Sequence, residues 1–328
     1  MRGCFENMCG IVGILGRAPV AGDLVEALKR LEYRGYDSAG IATLVNGALS
    51  RRRAEGKLRA LEMRLEAEPL AGNIGIGHTR WATHGRPSES NAHPHATETV
   101  AVVHNGIIEN FRELREKLGG NGAKFASETD TEVIAHLVTQ EMKGGKSPQQ
   151  AVAAALSQLR GAFALAFLFK GEDDLMIGAR RGSPLAIGYG KGEMYLGSDA
   201  IALASFTDRI SYLEDGDWAV VTRKGVQIFD QNNEKVERAI IKSTASSQLV
   251  DKGNHKHFMA KEIHEQPEVV GHTLAHYIDM TRECVALPFE LPFDFRKIRR
   301  LSISACGTAF YAGLVAKYWF ERFARLPV

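Results

Sequence analysis

Gly161-Ala-Phe-Ala-Leu-Ala-Phe-Leu-Phe169 decides the class of fold. The run has the length of a strand and carries no polar side chain, so it is too apolar for a sheet with one face open to water. A strand there must be covered on both sides. Working outward, apolar runs at 73–77, 99–104, 174–179, 194–197 and 217–229 read as further strands. Helical patterns separate them: 109–118 with Phe111, Leu114 and Leu118, 130–142 with Val133, Ile134, Leu137 and Val138, and a helix after Ser147 and Pro148, a good cap and first-turn pair. Nearer the start, Leu24, Leu28 and Leu31 share one helical face, Asp23 and Glu26 are placed like a capping box, and Gly35 supplies a stop, which predicts a helix over about 23–33. GIATLV and ALSRRR flank Asn46 and Gly47, whose tolerance of positive φ suits a two-residue hairpin. A layered α+β sandwich of sheets and helices from Cys9 to about 240 accounts for this pattern.

From 241 to 257 the chain turns polar, IKSTASSQLVDKGNHKH, and a linker is expected before the helical stretch FMAKEIHEQPEVVGHTLAHYI. The last segment offers a basic run at 296–300, an apolar strand Leu301–Ala305, a turn Cys306-Gly307-Thr308 and a helix to about Arg325. One strand and one helix cannot bury both faces of a parallel sheet, so residues 285–328 read as the opening of a truncated domain. The 41 basic residues almost balance the 39 acidic ones, which excludes the basic excess of a dedicated nucleic-acid binder. The basic runs 51–53 and 296–300 are expected to be solvated surface. The four cysteines form no CxxC pair, and no apolar run reaches the roughly 20 residues of a membrane helix, so the chain reads as cytoplasmic, without metal or disulfide framework.

Cys9 follows Met8 within Met-Cys-Gly-Ile-Val-Gly. In a chain beginning at Cys9, one residue would carry both a thiol and a free α-amine. With reference pKa values of about 8.5 and about 7.7–8.0, the amine can take the thiol's proton near neutrality. The plainer reading is a small buried hydrophobe at a strand start, and context decides between them. Arg80 follows a strand, where a guanidinium can grip a carboxylate through two parallel charged hydrogen bonds. Asn105 and Gly106 are expected just past the run Thr99–Val103, where a side-chain amide and a backbone N–H can point at one oxygen as an oxyanion hole. Asp130 at a helix start can hold an ammonium, so that with Arg80 it would bracket the zwitterionic end of an amino acid. Singly, these residues read as a surface ion pair, a turn and a helix cap. Together they describe a thiol poised beside an amino-acid pocket.

Five blocks in this order, Cys9-Gly-Ile-Val-Gly, Leu31–Gly40 (LEYRGYDSAG), His78–Gly85 (HTRWATHG), His104–Asn110 (HNGIIEN) and Ser127–Glu132 (SETDTE), closely resemble class II glutamine amidotransferases. Within these they look most like the glutamine:fructose-6-phosphate aminotransferases, or glucosamine-6-phosphate synthases. The likeness covers nearly the whole chain from Met8, including Asp251-Lys-Gly, Lys261–Pro267 and Ala305–Thr308. Amidophosphoribosyltransferase and asparagine synthetase are the weaker match. The resemblance implies a four-layer αββα sandwich of the N-terminal nucleophile hydrolase type over 9–240, a linker over 241–284, and a truncated sugar-isomerase domain from 285. It implies Cys9 as nucleophile, its amine as base, Asn105 and Gly106 as oxyanion hole, and Arg80 and Asp130 as glutamine clamps. Trp81, Thr83, His84 and His93 fall in the glutamine-pocket loops, Arg34 on the interdomain side, and Cys306, Gly307 and Thr308 on the sugar-phosphate side. Glutamine and, for the complete enzyme, fructose 6-phosphate are the implied substrates, with no cofactor and with a homodimer formed through the isomerase part.

Two features depart from that pattern. Residues 1–8 precede Cys9, so the start is expected at Met8, or the extension is a cleaved propeptide, or the copy is inactive. Ala309 stands where the family has a phosphate-binding serine. His78, His84, His93, His95 and His104 invite a metal, but no carboxylate or thiolate partners them at ligand spacing, and Cys306 is expected to be a packed thiol. The second functional reading is a non-catalytic module that binds an amino acid or sugar phosphate in the same pocket.

Overall fold

A computed structural model describes residues 9–32, 34–82, 84–243, 255, 257–279, 284–287 and 293–328. The described residues up to Ser243 form one compact unit and those from His255 onward another. The decisive run becomes strand β7 (Gly161–Phe169), and its alternation sorts two cores. Phe163, Leu165, Phe167 and Phe169 enter a cluster with residues of three helices, α3 (Phe111–Gly120), α4 (Thr131–Lys143) and α5 (Pro148–Leu156). Ala164, Ala166 and Leu168 face the opposite way, into a second cluster shared with another sheet. Small alanines on that side let two sheets approach closely, while each buried phenylalanine on the other contributes about 1.5–3 kcal/mol.

β7 belongs to a seven-stranded antiparallel sheet. Its order is β14 (Lys235–Val236), β13 (Gly225–Phe229), β12 (Trp218–Thr222), β8 (Met176–Arg181), β7, β6 (Val100–Ile108) and β5 (His95–Ala96). The facing sheet has eight strands: β15 (Ile241–Lys242), β11 (Arg209–Tyr212), β9 (Ala186–Tyr189), β10 (Met194–Gly197), β1 (Gly10–Leu15), β4 (Ile74–Arg80), β2 (Ser38–Val45) and β3 (Ala48–Glu55). Its outer face packs on α1 (Ala21–Lys29), α2 (Leu58–Ala67) and α6 (Ala200–Leu203) through a third cluster that includes Val12, Leu24, Leu28 and Leu61. Three cores thus separate four layers, helix, sheet, sheet and helix. Asn46 and Gly47, at φ 50° and 75°, turn β2 into β3 as expected, and Ser147 with Gln150 closes a complete capping box on α5.

Several elements differ from their sequence reading. α1 begins at Ala21 and ends at Lys29, and no side chain caps it. The helix opens with the Leu24 N–H donating to the Val20 carbonyl at 2.9 Å, and Glu26 pairs with Lys29 rather than turning back to the N-terminus. β6 continues to Ile108, so Asn105 and Gly106 lie inside a strand paired with Ala164 and Phe163, not past its end. The linker expected from 241 starts too early, because Ile241 and Lys242 pair with Ile210 and Arg209 of β11. An edge strand with both residues exposed lacks the apolar pattern that reveals inner strands. Met1–Met8 and 244–254 lie outside the described residues.

In the second unit, helix α7 (Phe258–Tyr277) carries Pro267, a two-stranded ribbon joins β16 (Ile278–Asp279) to β17 (Cys284–Val285), and helix α8 (Gly307–Trp319) runs into a π-helical turn, Phe320–Ala324. Leu301–Ala305 is not a strand. An apolar run becomes a strand only beside another that completes its hydrogen bonds, and among the described residues the bond made here is Leu301 N–H to the Pro327 carbonyl at 2.9 Å. Cys306 is exposed, at the N-cap of α8, rather than packed. No helix among the described residues is long and apolar enough to cross a membrane.

Candidate active site

Strand parity builds the site. Ile11, Ile74, Ile76, Ala101 and Val103 all point into the inter-sheet core, so Cys9, His78, Arg80 and Asn105, two or four residues further along the same strands, project into one end of that gap. There the apolar filling gives way to polar side chains. Cys9, Arg80, Trp81, His84, His93, Gly106 and Asp130 line one narrow pocket together with His104, Thr129 and Thr131.

Cys9 Sγ accepts the Trp81 N–H at 3.1 Å and lies 3.5 Å from the Trp81 carbonyl. Burial pushes its thiol up to about 11, against the opposing pull of the Trp81 N–H and the Arg80 charge. A thiol so placed is neutral at rest and needs a nearby proton acceptor to become a nucleophile. The chain after β4 is fixed by Asp37, whose carboxylate accepts from the Ala82 N–H and from the Ser38 hydroxyl at 2.8 Å.

Arg80 is 3% exposed. One of its nitrogens donates to the carbonyls of His84 and Gly85, while Nη1 has no partner among the described residues. A buried guanidinium nitrogen left unpaired is unfavourable, and an incoming carboxylate would satisfy it. Asp130 precedes α4 but makes no capping bond. Its carboxylate instead accepts the Ile108 N–H at 2.9 Å, which ties α4 to β6. Asn105 donates from Nδ2 to the Cys9 carbonyl at 2.6 Å. Gly106 has φ 122°, and a Cβ there would collide with the Ala162 carbonyl, so the position requires glycine.

In the pocket wall and behind it the histidines answer to hydroxyls and carbonyls. His104 Nδ1 is 2.9 Å from Thr131 Oγ1, His95 Nε2 is 3.0 Å from Thr129 Oγ1, and the His93 ring lies tilted against His78 with centroids 4.1 Å apart. Burial lowers the pKa of all four, to about 3 for His78 and His95. No group of three or more metal-ligating side chains is arranged to hold an ion among the described residues. The loop carrying His93 is pinned from below: Arg53 donates to the Ala92 carbonyl at 2.9 Å and Arg51 to that of Pro94 at 3.1 Å. This corrects the reading of 51–53 as solvated surface. β3 is an edge strand, and Arg51 and Arg53 occupy the side on which the loop folds back, while Arg52 donates to the Glu68 carbonyl.

The structure thus gathers Cys9, Arg80, Trp81, His84, His93, Asn105, Gly106 and Asp130. Thr83 lies outside the described residues. Arg34 is not in the pocket and pairs with Asp199; Gly307 and Thr308 open α8 in the other unit. Sequence reasoning passed over Asp37, Thr129 and Thr131, although all three stand inside the motif blocks quoted for their neighbours.

A sequence family described as a glutamine amidotransferase domain matches residues 78–205. Over 98% of its length the chain is 71% identical to a glutamine–fructose-6-phosphate aminotransferase [isomerizing] of Bradyrhizobium diazoefficiens, and over 98% it is 67% identical to one of Brucella abortus biovar 1. In sequence, then, the chain is similar to the glutamine amidotransferases. It spans 53% of the length of each of those relatives. A solved structure, the glutamine phosphoribosylpyrophosphate amidotransferase from B. subtilis complexed with ADP and GMP, superposes with a TM-score of 0.60 at 26% identity, over 71% of this chain and 50% of that one. The two-sheet sandwich up to Ser243 is accordingly consistent with the N-terminal nucleophile fold of such amidotransferases.

Proposed function

We propose that the unit up to Ser243 is a glutaminase and that Cys9 is its nucleophile. The observation that carries this reading is the meeting, in one pocket, of the Cys9 thiol with a carboxylate and a buried arginine whose Nη1 has no partner among the described residues. With Cys9 as the first residue, its α-amine takes the thiol proton. The thiolate then attacks the side-chain amide carbon of glutamine, and the amine returns the proton to the departing nitrogen. Ammonia leaves, water attacks the thioester, and glutamate departs as the thiol is restored. Arg80 holds the α-carboxylate of glutamine, Asp130 its ammonium, and Trp81, His84 and His93 shape the pocket. The Gly106 N–H and the Asn105 amide receive the oxyanion, Asn105 through the Nδ2 that already faces Cys9.

In this reading residues 285–328 begin a sugar-isomerase domain, with Cys306–Thr308 on its phosphate side. The ammonia then converts fructose 6-phosphate to glucosamine 6-phosphate in a cytoplasmic homodimer. The high identity to the aminotransferases over nearly the whole chain supports this. The test is glutamate release by chains beginning at Cys9 and at Met1. Turnover is expected from the first alone. Glutamine binding without turnover by the first would favour the non-catalytic module.

A further inference from the structure

We propose that His78 is a positioning residue for the oxyanion hole, holding the Asn105 amide so that its Nδ2 faces Cys9. The inference rests on the glutaminase reading and adds to it a residue outside the substrate pocket. His78 Nε2 lies 3.0 Å from Asn105 Oδ1 and 3.0 Å from the His104 carbonyl. Both are acceptors, so Nε2 carries the proton. His93 Nδ1, at 3.2 Å from the same nitrogen, is then a third acceptor. An asparagine amide has two ends of nearly equal size, and packing alone cannot choose between them. A donor fixed on the Oδ1 side can. The choice matters because the opposite end of Asn105 sits 2.6 Å from the Cys9 carbonyl: turned over, it would present an acceptor to the developing oxyanion.

The two residues come from different sheets. His78 stands on β4, opposite Ile11 of β1 and Gly40 of β2, and Asn105 on β6 of the facing sheet. His78 is fully buried and its Nδ1 has no partner among the described residues. Protonating that nitrogen would bury an uncompensated charge, and the ring remains a neutral donor of fixed tautomer. Gly40 opposite it lets the loop close, since a Cβ there would strike the His93 carbonyl.

The test uses the chain beginning at Cys9 with His78→Phe, His78→Gln and Asn105→Ala. Losing one oxyanion-hole donor lowers kcat about 10²–10³-fold. H78F should approach that loss with the KM for glutamine within about twofold of the parent, and H78Q, which keeps a donor near Nε2, should recover most of it. In the Asn105→Ala background H78F should cost nothing further, because residues acting as one unit are not additive. The side-chain amide NMR resonances of Asn105, assigned by their loss in N105A, should shift in H78F and stay near parental in H78Q. Additive losses, equal defects in H78F and H78Q, or unmoved Asn105 resonances would overturn the proposal. If H78F does not fold, unmoved Asn105 resonances in His78→Leu serve as the same refutation. A parent without turnover, but with Asn105 resonances that respond to H78F, would fell the glutaminase reading and leave the positioning role standing.

Discussion

In the sandwich Phe163, Phe167 and Phe169 are almost wholly withdrawn from water, whereas Tyr318 and Trp319 of α8 and Phe323 just beyond it remain 67%, 63% and 74% exposed. The two regions are both rich in large apolar residues, and each forms the element its periodicity predicts. They differ in what stands opposite. β7 has a sheet on one side and three helices on the other, while the apolar residues of α8 face no comparable layer among the described residues. A sequence pattern specifies a face; burial requires a second face of matching shape, and stability follows burial.

The contrast can be broken at several points. Cys9→Ala, in a chain beginning at residue 9, should lower glutamine turnover by roughly 10⁴-fold or more while leaving the thermal midpoint nearly unchanged, as measured by glutamate release and calorimetry. Phe167→Ala should destabilise the sandwich by about 3–5 kcal/mol in chemical denaturation. Arg80→Ala should raise the KM for glutamine about 10–100-fold, the equivalent of one lost charge-assisted carboxylate contact. On the acid side the buried histidines set the sign: His78 and His95 titrate at about 3 when folded and about 6.5 when unfolded. Between those values the unfolded chain binds more protons, so stability falls as pH drops from about 6.5 towards 3, and His95→Gln should flatten that slope by about one proton in a pH series of melting curves. Trp319→Ala sits at the other end of the scale, with less than about 0.5 kcal/mol expected in the transition that Phe167→Ala weakens. A drop comparable with that of Phe167→Ala would end the contrast.

Much of this architecture was legible because it is written in short periods. Alternation along residues 161–169 and helical spacing at 130–142 are local signals, and so is the Asn46–Gly47 turn. The site motifs were legible for the same reason, since Arg80–Trp81, Asn105–Gly106 and the block around Asp130 are contiguous. What stayed hidden is non-local. That Arg51 and Arg53 clamp the loop at 90–94 depends on which loop folds against an edge strand. The two-residue strands β5, β14 and β15 are too short to carry a period. Leu301–Ala305 has the composition of a strand but pairs with no strand among the described residues. The His78–Asn105 bond joins two sheets that only the folded chain brings face to face.

The place of β1 in its sheet has a kinetic consequence. With β10 on one edge and β4 on the other, the amides of Ile11–Leu15 cannot be released by fraying at a margin. Their hydrogen exchange should therefore follow global opening, among the slowest in the molecule. The strand that presents Cys9 is anchored at the most protected part of the sheet, so local breathing of the pocket loops can admit and release small molecules while the thiol's own support stays closed.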